Sequence, residues 1–298
     1  MSSTSEWAPL PRWTLADVGR FCGRGLLLAV VVYLVFRLPE AGLAGLVDSA
    51  APYWFAKVLL DVLVLGYVAA RSRWVGLKLV GALALVFAGL RTVSFVEIYL
   101  YEMIDAGELA TGVDGTLVDG VVLALLVVVV FGRVHGEESP APDDRLQLSP
   151  GEWVWKLTLL AAVFLLTMVL AGLVVFTGVG RVVDPVALAN YDLLETPAWV
   201  LPFQLVRGLV FTALLLPVVY LLRGGLRETQ LTVALLFAVL LSSNMLQGYD
   251  SVPGLLWIAH FAELFSQAFV YGLVAVPLLH HSHHPLARLL GSQPQGEM

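Results

Sequence analysis

The chain has 298 residues, of which 59% are hydrophobic and 13% are charged, and its formal net charge is −6. A mean hydropathy of +0.85 and apolar runs long enough to cross a ~30 Å hydrocarbon core exclude a soluble globular protein. The apolar runs are continuous rather than alternating, so the sequence predicts an all-α, polytopic integral membrane protein rather than a barrel. No loop carries the dense basic patch that nucleic-acid binding requires. The single cysteine, Cys22, excludes an intramolecular disulfide.

Eight apolar segments are predicted to span the membrane, each bounded by Gly, Pro, charged or Asn/Asp residues. The first is interpreted as a retained helix, because the small residues at 49–51 lie too far beyond it for a signal-peptide cleavage site. This divides the chain into an N-terminal segment (1–19), a transmembrane domain (20–279) and a His-containing tail (280–298). The predicted spans are residues 20–38, 52–70, 75–100, 115–134, 154–178, 198–222, 230–247 and 253–279.

Basic residues orient the eight spans, because loops rich in Lys and Arg stay in the cytoplasm. With this count, twelve of the 17 basic residues fall on one side, and both termini are predicted to be cytoplasmic in a cell-membrane protein. The cytoplasmic set is Arg12, Arg20, Arg24, Arg71, Arg73, Lys78, Arg133, Arg145, Lys156, Arg223, Arg227 and Arg288. The outer loops are predicted to hold Arg37 and Arg181 against Glu40, Asp48, Glu102, Asp105, Glu108, Asp114, Asp184, Asp192 and Asp250.

A weak internal repeat is suggested by the second and sixth segments. Residues 52–54 and 197–199 each place a Pro and a Trp where these segments begin, and both segments end at a turn with two arginines. The pattern permits two parallel four-helix halves related by an axis along the membrane normal.

Ionisable residues within the spans are predicted to collect between the membrane midplane and the outer surface. Arg207 lies nine residues beyond Ala198, or ~13 Å deep at 1.5 Å per helical residue. The eighth segment carries His260, Glu263 and Gln267 on one helical stripe.

Charge balance predicts that these groups pair inside the bundle or around a wet cavity. An unpaired charge at mid-membrane costs at least ~2.5–3.5 kcal/mol, and Lys57, Arg91 and Arg207 oppose Asp61, Glu97, Asp119 and Glu263. Lys57 and Asp61, four residues apart, are interpreted as a self-neutralising pair near the surface. The candidates for substrate binding or a proton relay are Asp61, Arg91, Glu97, Gln204, Arg207, His260, Glu263 and Gln267.

The chemistry of these candidates favours an anion and a proton. The planar guanidinium of Arg207 suits a carboxylate or phosphate, and His260 with Glu263 could titrate near neutral pH. No cofactor or metal site is predicted, because His260 is the only histidine well inside a span and no H-E-x-x-H motif accompanies it. The run of His280, His281, His283 and His284 could bind metal weakly but is interpreted as a polar cap.

The leading hypothesis is a small-solute or ion-coupled transporter rather than an enzyme, with its polar site in the outer half of the membrane. One alternative is a membrane-embedded enzyme that acts at the outer face on a lipid or lipid-linked substrate. Another is a non-catalytic subunit of a membrane complex. The expected partners are the lipid bilayer and a small-molecule or lipid substrate.

Overall fold

The structure is a computed structural model and describes residues 13–138, 146–186, 197–247 and 255–280. Within these ranges it is all-helical, and eight helices are long and apolar enough to cross a membrane, as the sequence predicts. Numbered in chain order, the long helices are α1 (Leu15–Ala41), α2 (Ala51–Arg71), α3 (Gly76–Leu100), α4 (Ala106–Val130), α5 (Pro150–Val175), α6 (Val200–Leu221), α7 (Leu226–Ser242) and α8 (Leu256–His280).

Capping boxes set where three of these helices begin. The side chains of Thr14, Asp105 and Ser149 each accept a hydrogen bond from the backbone N–H three residues on, and the acidic side chain at that position accepts one from the backbone N–H of the cap residue. As a result α1, α4 and α5 begin earlier than the expected positions 20, 115 and 154. The prediction that Glu108 and Asp114 lie in an outer loop is therefore wrong, because both are on α4.

Two helices depart from regular geometry at their ends. α5 continues into a π-helical segment at Phe176–Gly180 and a short turn at Arg181–Val183. α7 is followed by a separate turn of helix, Asn244–Gln247. The predicted loop residues Asp192 and Asp250, the residues at 253–254 and those at 281–298 lie outside the described residues.

The short connections α2–α3 and α6–α7 pair with each other. Ser72 and Leu222 form an isolated antiparallel bridge. On either side of it the Arg73 amide donates to the Leu221 carbonyl at 2.8 Å, and the Arg223 amide donates to the Arg71 carbonyl at 3.0 Å. We call this end of the bundle the turn end.

Two arginines, the buried Arg73 and the half-buried Arg133, donate to backbone carbonyls of these connections. Arg73 donates from Nη2 to the Leu222 carbonyl at 2.9 Å, and Arg133 donates from Nη2 to the carbonyls of Ser72 and Trp74. Burial lowers the pKa of both Arg73 and Arg133. The guanidinium nonetheless stays protonated in proteins, so both remain charged donors.

α1 begins and α8 ends at the turn end. Trp13, which precedes α1, stacks on Tyr67 near the end of α2, with ring centroids 5.9 Å apart. Gln230, in the first turns of α7, donates to the Leu273 carbonyl of α8 at 2.6 Å. The eight helices therefore run alternately toward and away from this end.

Helix packing divides the bundle into two sets of four. Within α1–α4 the closest partners are α1 with α2 and α3 with α4, and within α5–α8 they are α5 with α6 and α8, and α7 with α8. The two sets meet where α2 packs on α7 and α3 packs on α6 and α7.

Small residues allow the tightest helix approaches, as is common between membrane helices. A Cβ built on Gly272 of α8 would lie 2.6 Å from the Ala234 Cα and 2.9 Å from its backbone nitrogen on α7. Gly120 of α4 meets α3 in a similar way, with a built Cβ 3.3 Å from the Ala84 carbonyl oxygen.

We expect Gly272→Ala to destabilise the protein by about 1–3 kcal/mol, because the new methyl group would overlap the α7 backbone and force the two helices apart. Thermal unfolding of the detergent-solubilised protein measures the effect. The control is Gly81→Ala on α3, where a built Cβ meets nothing within 4 Å. Equal unfolding temperatures for the two variants would contradict the close α7–α8 contact.

Candidate functional site

The candidate polar residues form three groups in the structure. The Asp61 group comprises Lys57, Asp61, Arg91 and Ser243. The Glu97 group comprises Glu97, Gln204 and Arg207. The His260 group comprises His260 and Glu263. Within the described ranges, no ion pair or hydrogen bond joins one group to another.

Asp61 is the centre of a buried ionic network. It lies midway along α2, and its carboxylate accepts from Arg91 Nη2 of α3 at 2.6 Å and from Lys57 Nζ at 3.4 Å. The other carboxylate oxygen accepts from Ser243 Oγ, just beyond α7, at 2.8 Å. A single carboxylate therefore joins side chains from three elements of the bundle.

The interpretation of Lys57 and Asp61 as a self-neutralising surface pair is wrong. Their relative exposures are 6% and 2%, and Asp61 is shared with Arg91 and Ser243. The Arg91 guanidinium also lies 4.0 Å from the centroid of the Phe87 ring, a cation–π contact. Asp119 of α4 is near enough to Lys57 and Arg91 to interact electrostatically with both.

Glu97 is the carboxylate that faces Arg207. Arg207 Nη1 donates to Glu97 Oε2, and Gln204 Nε2 donates to Glu97 Oε1 at 2.6 Å. The guanidinium also lies 5.1 Å from the Phe211 ring centroid and 5.7 Å from that of Phe164. These contacts explain how a cation within α6 is accommodated in an apolar helix.

Exposure differs sharply between the two partners of this ion pair. The Arg207 side chain is 4% exposed, whereas that of Glu97 is 21% exposed. Glu97 is therefore the more accessible partner of the pair. An anion that displaced this carboxylate, or a proton that neutralised it, would free Arg207 for another ligand.

The His260 group lies where α8 packs against the end of α5. His260 Nδ1 is 3.0 Å from Glu263 Oε2, and its ring centroid is 6.0 Å from that of Phe176. The Glu263 carboxylate packs against Gly172, where a built Cβ would lie 3.2 Å from Oε1. Phe176 begins the π-helical segment, a feature found often at functional sites.

Gln267 is the third residue of the predicted stripe on α8, and it belongs to none of the three polar groups. Its side chain is buried, and its Nε2 has no hydrogen-bond partner among the described residues. A buried amide without a partner is rare in folded proteins. The sequence placed Gln267 on the same helical face as His260 and Glu263, and the geometry of α8 agrees with that placement.

A polar contact at the turn end was missed by the sequence analysis. Glu228 of α7 is buried, and it accepts from Arg71 Nη2 of α2 at 2.9 Å and from the Tyr67 hydroxyl at 3.3 Å. The signal in the sequence was an acidic residue among the arginines of the two short turns. Its partner, Arg71, is set by the pairing of those two turns. Residue spacing in the sequence does not predict that pairing.

Metal ligands are not grouped in the part of the chain that the structure describes: no three His, Cys, Asp or Glu residues there could hold an ion. The histidines at 281, 283 and 284 lie outside the described residues, and His280 is the last residue of α8.

We expect Asp61→Asn to destabilise the fold by about 3–5 kcal/mol, because it leaves the buried Arg91 and Lys57 without their shared carboxylate. Thermal unfolding in detergent checks this. Asp114→Asn, at an exposed position of α4, is the matched control and should change stability little. Wild-type stability of the Asp61→Asn variant would show that the ionic network around Asp61 does not stabilise the fold.

Comparison with known protein families, with curated proteins and with solved structures finds no match for this chain.

Proposed function

We propose that this chain is an ion-coupled transporter of small anions, with two parallel four-helix halves, α1–α4 and α5–α8, that move relative to each other. The observation that carries the proposal is the buried Arg207 of one half, held by the partly exposed Glu97 of the other. Eight membrane-type helices supply the spanning architecture.

The pairing of the short turns supports an internal repeat. The bridge joins residue 72 to residue 222, 150 positions further on. Three successive helices keep nearly the same spacing between their first residues, namely Ala51 and Val200, Gly76 and Leu226, and Ala106 and Leu256. This register replaces the expected match of residues 52–54 with 197–199, and pairs Pro52 with Pro202 and Lys57 with Arg207.

The alanines at two close glycine contacts agree with the same register. Gly120 of α4 packs on Ala84 of α3, and Gly272 of α8 packs on Ala234 of α7. Ala84 and Ala234 are also 150 positions apart. Gly120 and Gly272 are 152 positions apart, so the alanines follow the register and the glycines lie two residues off it.

Polar contacts join the two halves at two levels along the bundle. Near the turn end, Arg71 of α2 pairs with Glu228 of α7. Further along the bundle, Glu97 of α3 pairs with Arg207 of α6, and Asp61 of α2 binds Ser243. Transporters with parallel repeats bind substrate between the repeats and rock them to expose it alternately. Opening either end would break the ion pair at that end.

The charge of Arg207 and Lys57 supports an anion as the substrate. Both cations occupy the same place in the proposed repeat, and guanidinium binds carboxylate and phosphate in two-point geometry. Protonation of Glu97 would release Arg207 to an incoming anion, so one proton would move with each anion. Arg207 and Gln204 are the groups that face Glu97 from α6.

The orientation follows from the basic residues of the turn end. Arg71, Arg73 and Lys78 lie around one turn, and Arg223 and Arg227 around the other. By the positive-inside rule this end is cytoplasmic, which puts both termini in the cytoplasm of a cell-membrane protein. The Glu97 group then opens to the outside.

Access from both sides of the membrane is the first test. We expect a cysteine at Ser94, one turn before Glu97 on α3, to react with an impermeant maleimide added on either side of oriented proteoliposomes. The background is Cys22→Ala, which removes the only native cysteine. Leu85→Cys, at an exposed apolar position of α3, is the control for reagent leakage into lipid.

Labelling from only one side, across pH values from 5 to 8 and with or without anion, would overturn the transporter proposal. An enzyme or a subunit with a fixed site would give that result. Labelling of the Leu85 control would instead mean that the reagent crosses the bilayer, and the vesicles would be remade before any conclusion.

Proton coupling is the second test. We expect an inward gradient of phosphate, sulfate, succinate or glutamate to acidify vesicles loaded with a pH-sensitive dye, with at least one of these anions active. Glu97→Gln should reduce the proton flux at least tenfold, because the amide cannot bind the coupled proton. Glu102→Gln, at an exposed position just beyond α3, should retain wild-type flux. Equal proton flux in the two variants would exclude Glu97 as the coupling group.

A further inference from the structure

A cavity of about 350 Å³ lies at the turn end, between α1 and the last turns of α2 and α4. It shares no residue with the three polar groups. Its volume falls in the range of small-ligand sites, ~300–1,000 Å³. The cavity is lined by Trp13, Asp17, Arg20, Phe21, Arg24, Ala70, Arg71 and Phe131.

The side chains that line this cavity include more arginines than carboxylates. Arg20 pairs with Asp17 at 2.6 Å, and Arg71 pairs with Glu228. Arg24 is exposed, and it has no ion pair among the described residues. The guanidinium groups of Arg20 and Arg71 are thus neutralised by the carboxylates of Asp17 and Glu228. The remaining positive charge is on Arg24.

The walls of the cavity are aromatic. Trp13 packs edge-to-face on Phe21 with centroids 5.4 Å apart, and Phe21 packs on Phe131 at 5.3 Å. Beyond Arg24 the α1 surface turns apolar, with Leu26 and Leu27 more than half exposed. Aromatic residues next to basic ones are typical of the membrane interface, where lipid headgroups meet the hydrocarbon.

We propose that this cavity binds the phosphate of an anionic phospholipid, with its acyl chains lying along α1. Arg24 would hold the phosphate, and Arg20 would assist by exchanging Asp17 for it, since guanidinium binds phosphate in two-point geometry. Basic pockets between membrane helices on the cytoplasmic side recognise anionic headgroups in this way. A soluble phosphate would use the same arginines, but it would gain nothing from the aromatic wall and the adjoining apolar surface. The proposal is independent of transport.

The test measures ligand binding to the protein in neutral detergent, detected by thermal shift and by native mass spectrometry. The probes are short-chain phosphatidylglycerol, short-chain phosphatidylcholine and inorganic phosphate. We expect phosphatidylglycerol to bind and stabilise the protein, phosphatidylcholine to do so at least tenfold more weakly, and millimolar phosphate to compete poorly.

Arg24→Gln should weaken phosphatidylglycerol binding about tenfold, as expected for the loss of one charged contact. Arg24→Lys should restore part of the affinity. Arg227→Gln removes a charge at an exposed position of the same end and should leave binding unchanged. Because Arg24 is exposed, its variants are expected to fold as the wild type does.

Three results would overturn the proposal. Equal affinity for the two lipids would show that the headgroup charge is not recognised. Effective competition by inorganic phosphate would assign the cavity to a soluble phosphate. Unchanged lipid binding in Arg24→Gln would place any lipid site elsewhere on the protein.

Discussion

The structure depends on the pairing of charge inside an apolar bundle. An ionised group without a partner in hydrocarbon is so costly that the positions of the cations and carboxylates constrain which helices can be neighbours. Asp61 shows this most clearly, because one carboxylate serves Arg91, Lys57 and Ser243 from α3, α2 and the segment after α7. The apolar core then fills the space that the ionic contacts define.

Close contacts through small residues and buried ion pairs both occur in the bundle, and the α1–α4 half contains the Asp61–Arg91 pair. Inside each half, helices approach through small residues, as where Gly272 meets Ala234, and such contacts tolerate little movement. The boundary between the halves includes directional polar contacts, such as Glu97 with Arg207 and Glu228 with Arg71. Polar partners can be exchanged for a ligand, a proton or water, whereas a close-packed backbone contact cannot. In the proposed mechanism, the contacts between the halves that exchange are therefore the ion pairs Glu97–Arg207 and Glu228–Arg71.

The sequence was sufficient for the number and kind of the helices, because continuous apolar runs of membrane length have few other structures available. It also singled out Arg207 and Glu97, although only packing could reveal that they face each other. Helix starts were missed where a capping box extends a helix into polar sequence, as at Asp105. Ser243 could not be chosen among several serines, and the register of the repeat depended on backbone pairing between distant turns. The local sequence pattern determines where the helices form. Contacts between distant parts of the chain determine which side chains lie next to each other.

The bridge between Ser72 and Leu222 has a consequence for the ancestry of the chain. A residue that pairs with its own counterpart is the mark of a two-fold axis, and in a homodimer such a contact is isologous. Four helices per half is an even number, so a separately made half would begin and end on the same side of the bilayer. In the proposed repeat, two such halves can be fused tail to head by a connection between α4 and α5 that does not have to cross the membrane. A gene duplication that converts a symmetric dimer into one chain would therefore preserve both the orientation of the halves and their interface, while freeing Lys57 and Arg207 to differ.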